Sequence, residues 1–354
     1  FAEEQGDQPQ ARATRAEGLF RVAKLRHMLG ENDQAVAGYR SAIALYEPLV
    51  AEQPGAPDLG QGLARAYNNL ASLLWDLGQQ SEAKTVSRSA IDLKRALVAK
   101  HPGDPSYRQS LATSLNNLAN YSRALKRFDE SIAHYDAALE LQQTLASEHP
   151  DVPAYRHELA RTQNNLGNLL SGLKQHTRAE ELLRSAIGLQ QSLAAEFPGV
   201  PTYRRELAGS YNNLGTLLKA RARLPDGEAS YAAAVDTLEQ LVAETPGVPA
   251  YRLELAGCSY NLGQFVLDDS RPGDSLPRLT RAIEILTPAI ANEPRFQAAR
   301  SLLRDAHAAR AQALGALERY GDAVKDWDVA ISLTPPERQD VYKAKRQADA
   351  THIQ

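Results

Sequence analysis

Asparagine recurs in this sequence at a fixed spacing. Asn69, Asn117, Asn165, Asn213 and Asn261 stand 48 residues apart, and the first four are each preceded by a second asparagine: Asn68, Asn116, Asn164 and Asn212. A side-chain amide carries one acceptor and two donors, so a row of them can grip the backbone of an extended peptide without demanding a particular side chain. At steps of three or four residues, on the same helical face, lie Arg65, Ser72, Thr113, Asn120, Arg161, Asn168, Thr216 and Gln264. The other use of such a row is hydrogen bonding between neighbouring helices. That role is assigned to the first asparagine of each pair, and the second is open to either. Asparagine is a mediocre helix former, so five repetitions within helices call for some compensating role.

A second recurring pair is Tyr107-Arg108, Tyr155-Arg156, Tyr203-Arg204 and Tyr251-Arg252, of which Arg300 keeps the arginine while Ala299 replaces the tyrosine. Arginine near a helix start opposes the helix dipole, so a compensating acid is expected. Glu148, Glu196 and Glu244, just before the preceding proline, are the candidates, and the pair reads as a staple between repeats. Catalytic chemistry finds no support. The eight histidines, His101 and His149 among them, lack the paired spacing of a helix-borne metal site, and no Ser/His/Asp set stands out. There is no Gly-rich phosphate loop, no HRD and no DFG. Cys258 is the one cysteine, which excludes an internal disulfide; its column holds Ser114, Thr162 and Ser210 elsewhere, as a small packing position would. No enzyme activity, cofactor or metal is therefore expected.

The residues around these columns define the elements that must carry them. Ala42, Ala90, Ala138, Ala186, Ala234, Ala282 and Ala330 repeat at the same 48-residue step, each followed by Ile, Leu or Val. Seven residues before each stands another small residue: Ala35, Ala83, Ser131, Ala179, Gly227, Ser275 and Ala323. Two such columns mark a helix face pressed close against another helix. Within one unit, Leu159, Leu166, Leu169, Leu170 and Leu173 have helical spacing, as do Ala179, Leu182, Leu183, Ala186, Ile187 and Leu193. Each unit is thus two amphipathic helices of about 20 residues and roughly 30 Å. The first is expected to open near Pro153 and the second to end before Pro198.

These columns divide the chain into units at about 10–53, 54–101, 102–149, 150–197, 198–245, 246–293 and 294–334. A stacked repeat grows by nearest-neighbour contacts, so one solenoid domain over 1–354 is expected. Residues 1–9 read as a polar lead-in. The first unit has helices at about 10–29 and 33–51, with Phe20 and Arg21 where other units have the asparagines. In the sixth, the tract from Asp268 to Pro277 holds two prolines and a glycine and predicts a looser connection. The tail after Pro335 predicts a turn and a charged capping helix at about 336–350, covering the face near Val329 and Ile331.

The columns resemble the tetratricopeptide repeats: with Ala160 opening a family repeat, Leu166, Gly167, Ala179, Leu183 and Ala186 fall on that family's defining columns. Gln163 departs from its usual aromatic and Gln191 from its closing proline, so the extra residues of each unit lengthen both helices. The NNLG or NNLA run followed by His149-Pro150 is similar to kinesin light chain repeats. The whole unit, from HP through PxYRxxLA to NNLG, looks closer to the long repeats behind the catalytic domain of some bacterial serine/threonine protein kinases. The resemblance implies an all-α, right-handed superhelical solenoid of seven antiparallel hairpins. It also implies a concave face on the first helices that bears Arg65, Asn69, Thr113, Asn117, Asn120, Arg161, Asn165, Asn168, Asn213, Thr216, Asn261 and Gln264.

The function expected is a protein- or peptide-binding scaffold or regulatory module of a bacterial signalling protein, with Arg65 and Arg161 drawing acidic ligand residues toward its N-terminal half. A ligand-sensing solenoid and a self-associating structural segment are the alternatives. A net charge of −3 offers no footprint for nucleic acid, and no apolar run reaches transmembrane length. The chain opens at Phe1, as a fragment or processed product would. A cytoplasmic monomer is expected, with the extracytoplasmic part of a membrane-anchored protein as the alternative. For the packing test, Ala186 is expected to be buried and Gln190 to face solvent.

Overall fold

The computed structural model describes residues 8–53, 55–292 and 297–353. Pro54, Pro294 and most of the polar lead-in lie outside the described residues. The described residues are 86% helical and include no strand. Fifteen α-helices follow one another among the described residues: α1 Pro9–Met28, α2 Asn32–Glu52, α3 Pro57–Asp76, α4 Gln80–Lys100, α5 Pro105–Ala124, α6 Phe128–Glu148, α7 Pro153–Gly172, α8 His176–Glu196, α9 Pro201–Ala220, α10 Leu224–Glu244, α11 Pro249–Asp268, α12 Pro272–Asn292, α13 Gln297–Ala316, α14 Tyr320–Ser332 and α15 Asp340–Ala350. Successive pairs form seven hairpins, and α15 follows a short 3-10 turn, Pro336–Arg338. The chain falls into two compact units, Phe1–Thr162 and Gln163–Gln354.

Each first helix of the second to sixth hairpins opens on a proline, whose missing N–H is not needed in the first turn. Each hairpin turn has one design. In the second, Gly78 takes φ 78°, its N–H bonds the Trp75 carbonyl, and the Gln79 N–H reaches back to the Leu74 carbonyl at 2.8 Å. This pattern satisfies carbonyls that a helix end leaves orphaned. Lys126, Lys174, Ala222, Ser270 and Glu318 occupy the same left-handed position with φ between 55° and 62°.

The sixth connection is not looser than the others. α11 ends at Asp268, α12 begins at Pro272, and Ser270 adopts the common turn, with the Arg271 N–H bonded to the Val266 carbonyl. Pro272 suits the first helical position, and Pro277 lies inside the helix that follows. The prolines of the tract are accommodated by helix, not by loop.

Both small-residue columns are buried throughout. In the N-terminal unit they sit against a core containing Phe20, Tyr39, Leu63, Leu70 and Leu74; in the C-terminal unit, against Tyr231, Leu238, Leu255, Leu262 and Phe265. Gln190 does not face solvent: it is 1% exposed, four residues after Ala186 and therefore on the same buried face. Its column reads Tyr46, Lys94, Gln142, Gln190, Leu238 and Leu286, all buried.

The terminal helix α15 packs on α14. The Trp327 indole N–H donates to Asp349 at 2.7 Å, the Tyr342 ring lies 5.9 Å from it, and Arg346 pairs with Asp328. The face covered is that of Trp327 and Ala330. Val329 is 37% exposed with the tail in place, so the tail does not cover it.

Candidate functional site

The first asparagine of each pair joins one repeat to the next. In the N-terminal unit, Asn68 Oδ1 accepts from the Ser114 hydroxyl at 3.1 Å, and Asn116 Oδ1 from the Thr162 hydroxyl at 3.2 Å. In the C-terminal unit the donors are the second asparagines: Asn213 Nδ2 donates to Asn164 Oδ1 at 3.0 Å, and Asn261 Nδ2 to Asn212 Oδ1 at 2.9 Å. There the hydroxyl column is occupied by Ser210, whose Oγ has no partner, and by Cys258, a weak donor. Burial pushes the Cys258 thiol up to about 12, so it is an inert packing residue.

The remaining amides differ among themselves. Asn117 and Asn165 are half-buried and make no side-chain hydrogen bond to another described residue. Asn69 lies beside the buried Tyr39 hydroxyl. In the next column, Asn120 Oδ1 accepts from Tyr135 at 2.7 Å, and Thr216 Oγ1 lies 2.9 Å from the Tyr231 hydroxyl. Each therefore ties a first helix to its own second helix. Leu183 stands where the others have tyrosine, and Asn168 opposite it is exposed. Gln264 bonds Asp268, and Thr113 bonds back to the Gln109 carbonyl. Gly215 permits the tyrosine contact: a Cβ there would meet the Tyr231 ring at 2.9 Å.

Arg65 and Arg161 each have an internal carboxylate. Arg65 donates to Glu17 at 3.0 Å and lies over the Phe20 ring, and Arg161 donates to Glu158 at 2.5 Å. Burial alone would raise the Glu17 pKa, but bonds from Arg21 and Tyr46 and the charge of Arg65 outweigh it and hold the group low.

The Tyr-Arg pairs divide their work. Arg252 donates to the Pro246 carbonyl, but Arg108 reaches Glu148 at 2.6 Å and Arg204 reaches Glu244 at 2.6 Å, each the acid 40 residues later, and Arg204 does not take Glu196. The antiparallel hairpin causes this, since it brings the start of the first helix beside the end of the second. The tyrosines supply the staple between repeats: Tyr107 stacks on His101, Tyr155 tilts against His149, and Tyr203 meets Phe197 edge-on.

Two features were not predicted as sites. A cavity of about 430 Å³ in the C-terminal unit is lined by Tyr260, Gln264, Arg304, Asp305, Tyr342 and Lys345, which come from α11, α13 and α15. A buried triad joins Asp326 to Arg310 and to His307 Nδ1 at 2.7 Å. Tyr260 and Gln264 stand in repeated columns, but their meeting with α13 and α15, and the triad on α13 and α14, depend on helix contacts that periodicity does not report.

Hairpins of this size, repeated with small residues at the crossings and polar side chains along the first helices, define a helical-hairpin repeat protein. Residues 63–103 and 110–192 each match a family model described as tetratricopeptide repeat. Those two segments are tetratricopeptide repeats, and the remaining hairpins share their architecture. Among solved structures the chain is similar in fold to BtubC (BKLC) from P. vanneervenii, with 21% identity over 74% of this chain and 92% of that one and a TM-score of 0.56. The nuclear import adaptor Nro1 of S. pombe is 14% identical over 80% and 95%, with a TM-score of 0.52. The apo form of RapI is 12% identical over 94% and 99%, with a TM-score of 0.57. No curated protein matches the sequence. Repeats of this family are generally non-catalytic and serve as protein-interaction scaffolds. Among the described residues, no helix is long and apolar enough to cross a membrane.

Proposed function

We propose that this scaffold holds extended segments of a partner protein against the first helices of each unit. In the N-terminal unit the contacts come from Arg65, Asn69, Thr113, Asn117, Asn120 and Arg161; in the C-terminal unit, from Asn165, Asn168, Asn213, Thr216, Asn261 and Gln264. The observation that carries this reading is the state of Asn117 and Asn165, half-buried amides without an intramolecular partner. Their amide atoms keep access to solvent, so a peptide backbone, which supplies both a donor and an acceptor, can reach them. Asn213 and Asn261 keep a second N–H after bonding the preceding repeat.

The test is to capture partners from the source organism on the wild-type chain, then measure their binding by calorimetry to an Asn117→Ala, Asn165→Ala double variant whose helicity and melting are checked by circular dichroism. Each lost bond should weaken binding by about 0.5 to 1.5 kcal/mol. Unchanged affinity in the folded variant sinks the reading. The unit's resemblance to repeats attached to bacterial serine/threonine kinases supports a place in a signalling protein; a reading frame without a kinase domain would remove that assignment.

A further inference from the structure

Lys94 is a buried charge that the protein leaves without a counter-charge. It lies on α4, is 2% exposed, and its ammonium donates to the Ser110 carbonyl at 3.1 Å and the Ser114 hydroxyl at 2.6 Å, both on α5. One N–H remains. Among the described residues no carboxylate pairs with it, whereas the other buried lysine, Lys84, is matched to Glu130 at 2.5 Å. A buried ion without an opposite charge is costly, and the same column is filled by neutral Gln142, Gln190, Leu238 and Leu286 in later repeats. Beside Lys94 is a cavity of about 170 Å³. Its walls include Ala64 of α3 and Leu97 of α4, which suit an aliphatic stem, and its polar lining comes from Gln61 of α3 and Ser106 and Tyr107 of α5. Arg65 and Ser106 are exposed at its margin. Arg65 already pairs with Glu17, so it leaves Lys94 as the cavity's unmatched positive charge.

We propose that this cavity receives a carboxylate, carried by an acidic side chain of the bound partner, with Lys94 as its counter-charge. A monoanion balances the single uncompensated positive charge, and the small volume fits one carboxyl group and its stem. The site rests on the partner-binding reading only for the source of the carboxylate. Burial alone pushes the Lys94 amine down to about 8, and a bound anion should restore part of that loss. The charged and titratable groups that line the cavity with Lys94 are Arg65 from α3 and Tyr107 from α5; no carboxylate lines it, and the acid at its margin, Glu17 of α1, is taken by Arg65.

The experiment follows the Lys94 side chain by carbon NMR in lysine-labelled full chain, assigned with Lys94→Gln, a residue that the next two repeats carry at this position. Sodium acetate should produce a saturable change and move the amine's titration midpoint up by about one pH unit, whereas acetamide should do neither. The Lys94→Gln variant, confirmed as folded by circular dichroism, should lose the acetate-dependent rise in melting temperature. Absence of saturation, an equal response to acetamide, or preference for inorganic phosphate over acetate each overturns the carboxylate assignment. Because acetate needs no partner, a positive result together with unaltered partner binding by the Asn117 and Asn165 variant would sink the partner reading while leaving the site in place.

Discussion

Asp326 shows how one buried charge is held by its neighbours. Burial by itself would raise its pKa, but hydrogen bonds from Arg310 and His307 outweigh it and keep the carboxyl below its ordinary value. A group depressed in the folded state stabilises above its unfolded pKa of about 3.9, and that contribution is lost as pH falls through the lower folded value. Urea melts between neutral pH and pH 3 should therefore show an acid-sensitive loss that Asp326→Asn lacks. The variant itself should be less stable by about 3 kcal/mol at neutral pH, since Arg310 loses its buried partner. Lys94 has the opposite sign. Its folded pKa of about 8 lies below the ordinary lysine value of 10.5, so the unfolded chain binds more protons between them and stability rises with pH over that window. Melting of wild type from pH 8 to pH 10 should show this rise, and Lys94→Gln should flatten it; parallel curves would mean that the amine is better solvated than its burial indicates.

At the scale of the helix and turn, the left-handed position of each hairpin invites a direct test. Ala222 adopts φ 55° where Gly78 adopts φ 78° in the second hairpin. An L-residue there costs roughly 1 to 2 kcal/mol, part of which glycine returns through its greater freedom when unfolded. Ala222→Gly should stabilise by up to about 1 kcal/mol and Gly78→Ala should destabilise by a similar amount, as read from denaturant midpoints. Ala186→Leu should cost about 1 to 3 kcal/mol by overpacking its helix contact. The proper exposed comparison is Ser185, not Gln190, and Ser185→Ala should stay within about 0.5 kcal/mol. Equal losses at Ala186 and Ser185 would contradict the assigned faces. Most of the fold at this scale was legible in the sequence, because small residues at helix crossings and prolines at helix starts act through local geometry. The burial of Gln190 was legible too, through Leu238 and Leu286 in its column, but a polar residue type disguised it.

At the scale of the molecule, consecutive helices within each unit pack on one another, and first helices also touch the next first helices, as α1 does α3 and α11 does α13. Stability in such an array is a sum over neighbouring interfaces, so an uncovered end is exposed apolar surface. Removing the chain from Pro335 onward would strip Asp349 and Tyr342 from Trp327, which is 1% exposed in the whole chain. Light scattering should then report concentration-dependent association with helicity retained. A truncated chain that stays monomeric at high concentration would show that α15 is not a cap.

The sequence by itself determined the repeat, its seven hairpins, the helix limits near each proline and the residue columns that face inward. Those properties depend on spacing along the chain, where a helix turns every 3.6 residues and proline cannot continue one. Only the tertiary structure decided who meets whom. Which asparagine donates to its neighbour, which glutamate each arginine takes and whether Arg65 is free all depend on side chains 40 to 49 residues apart coming within hydrogen-bond range. The same holds for Lys94. Its column shows a lysine, but the missing counter-charge and the cavity beside it exist only where three helices converge.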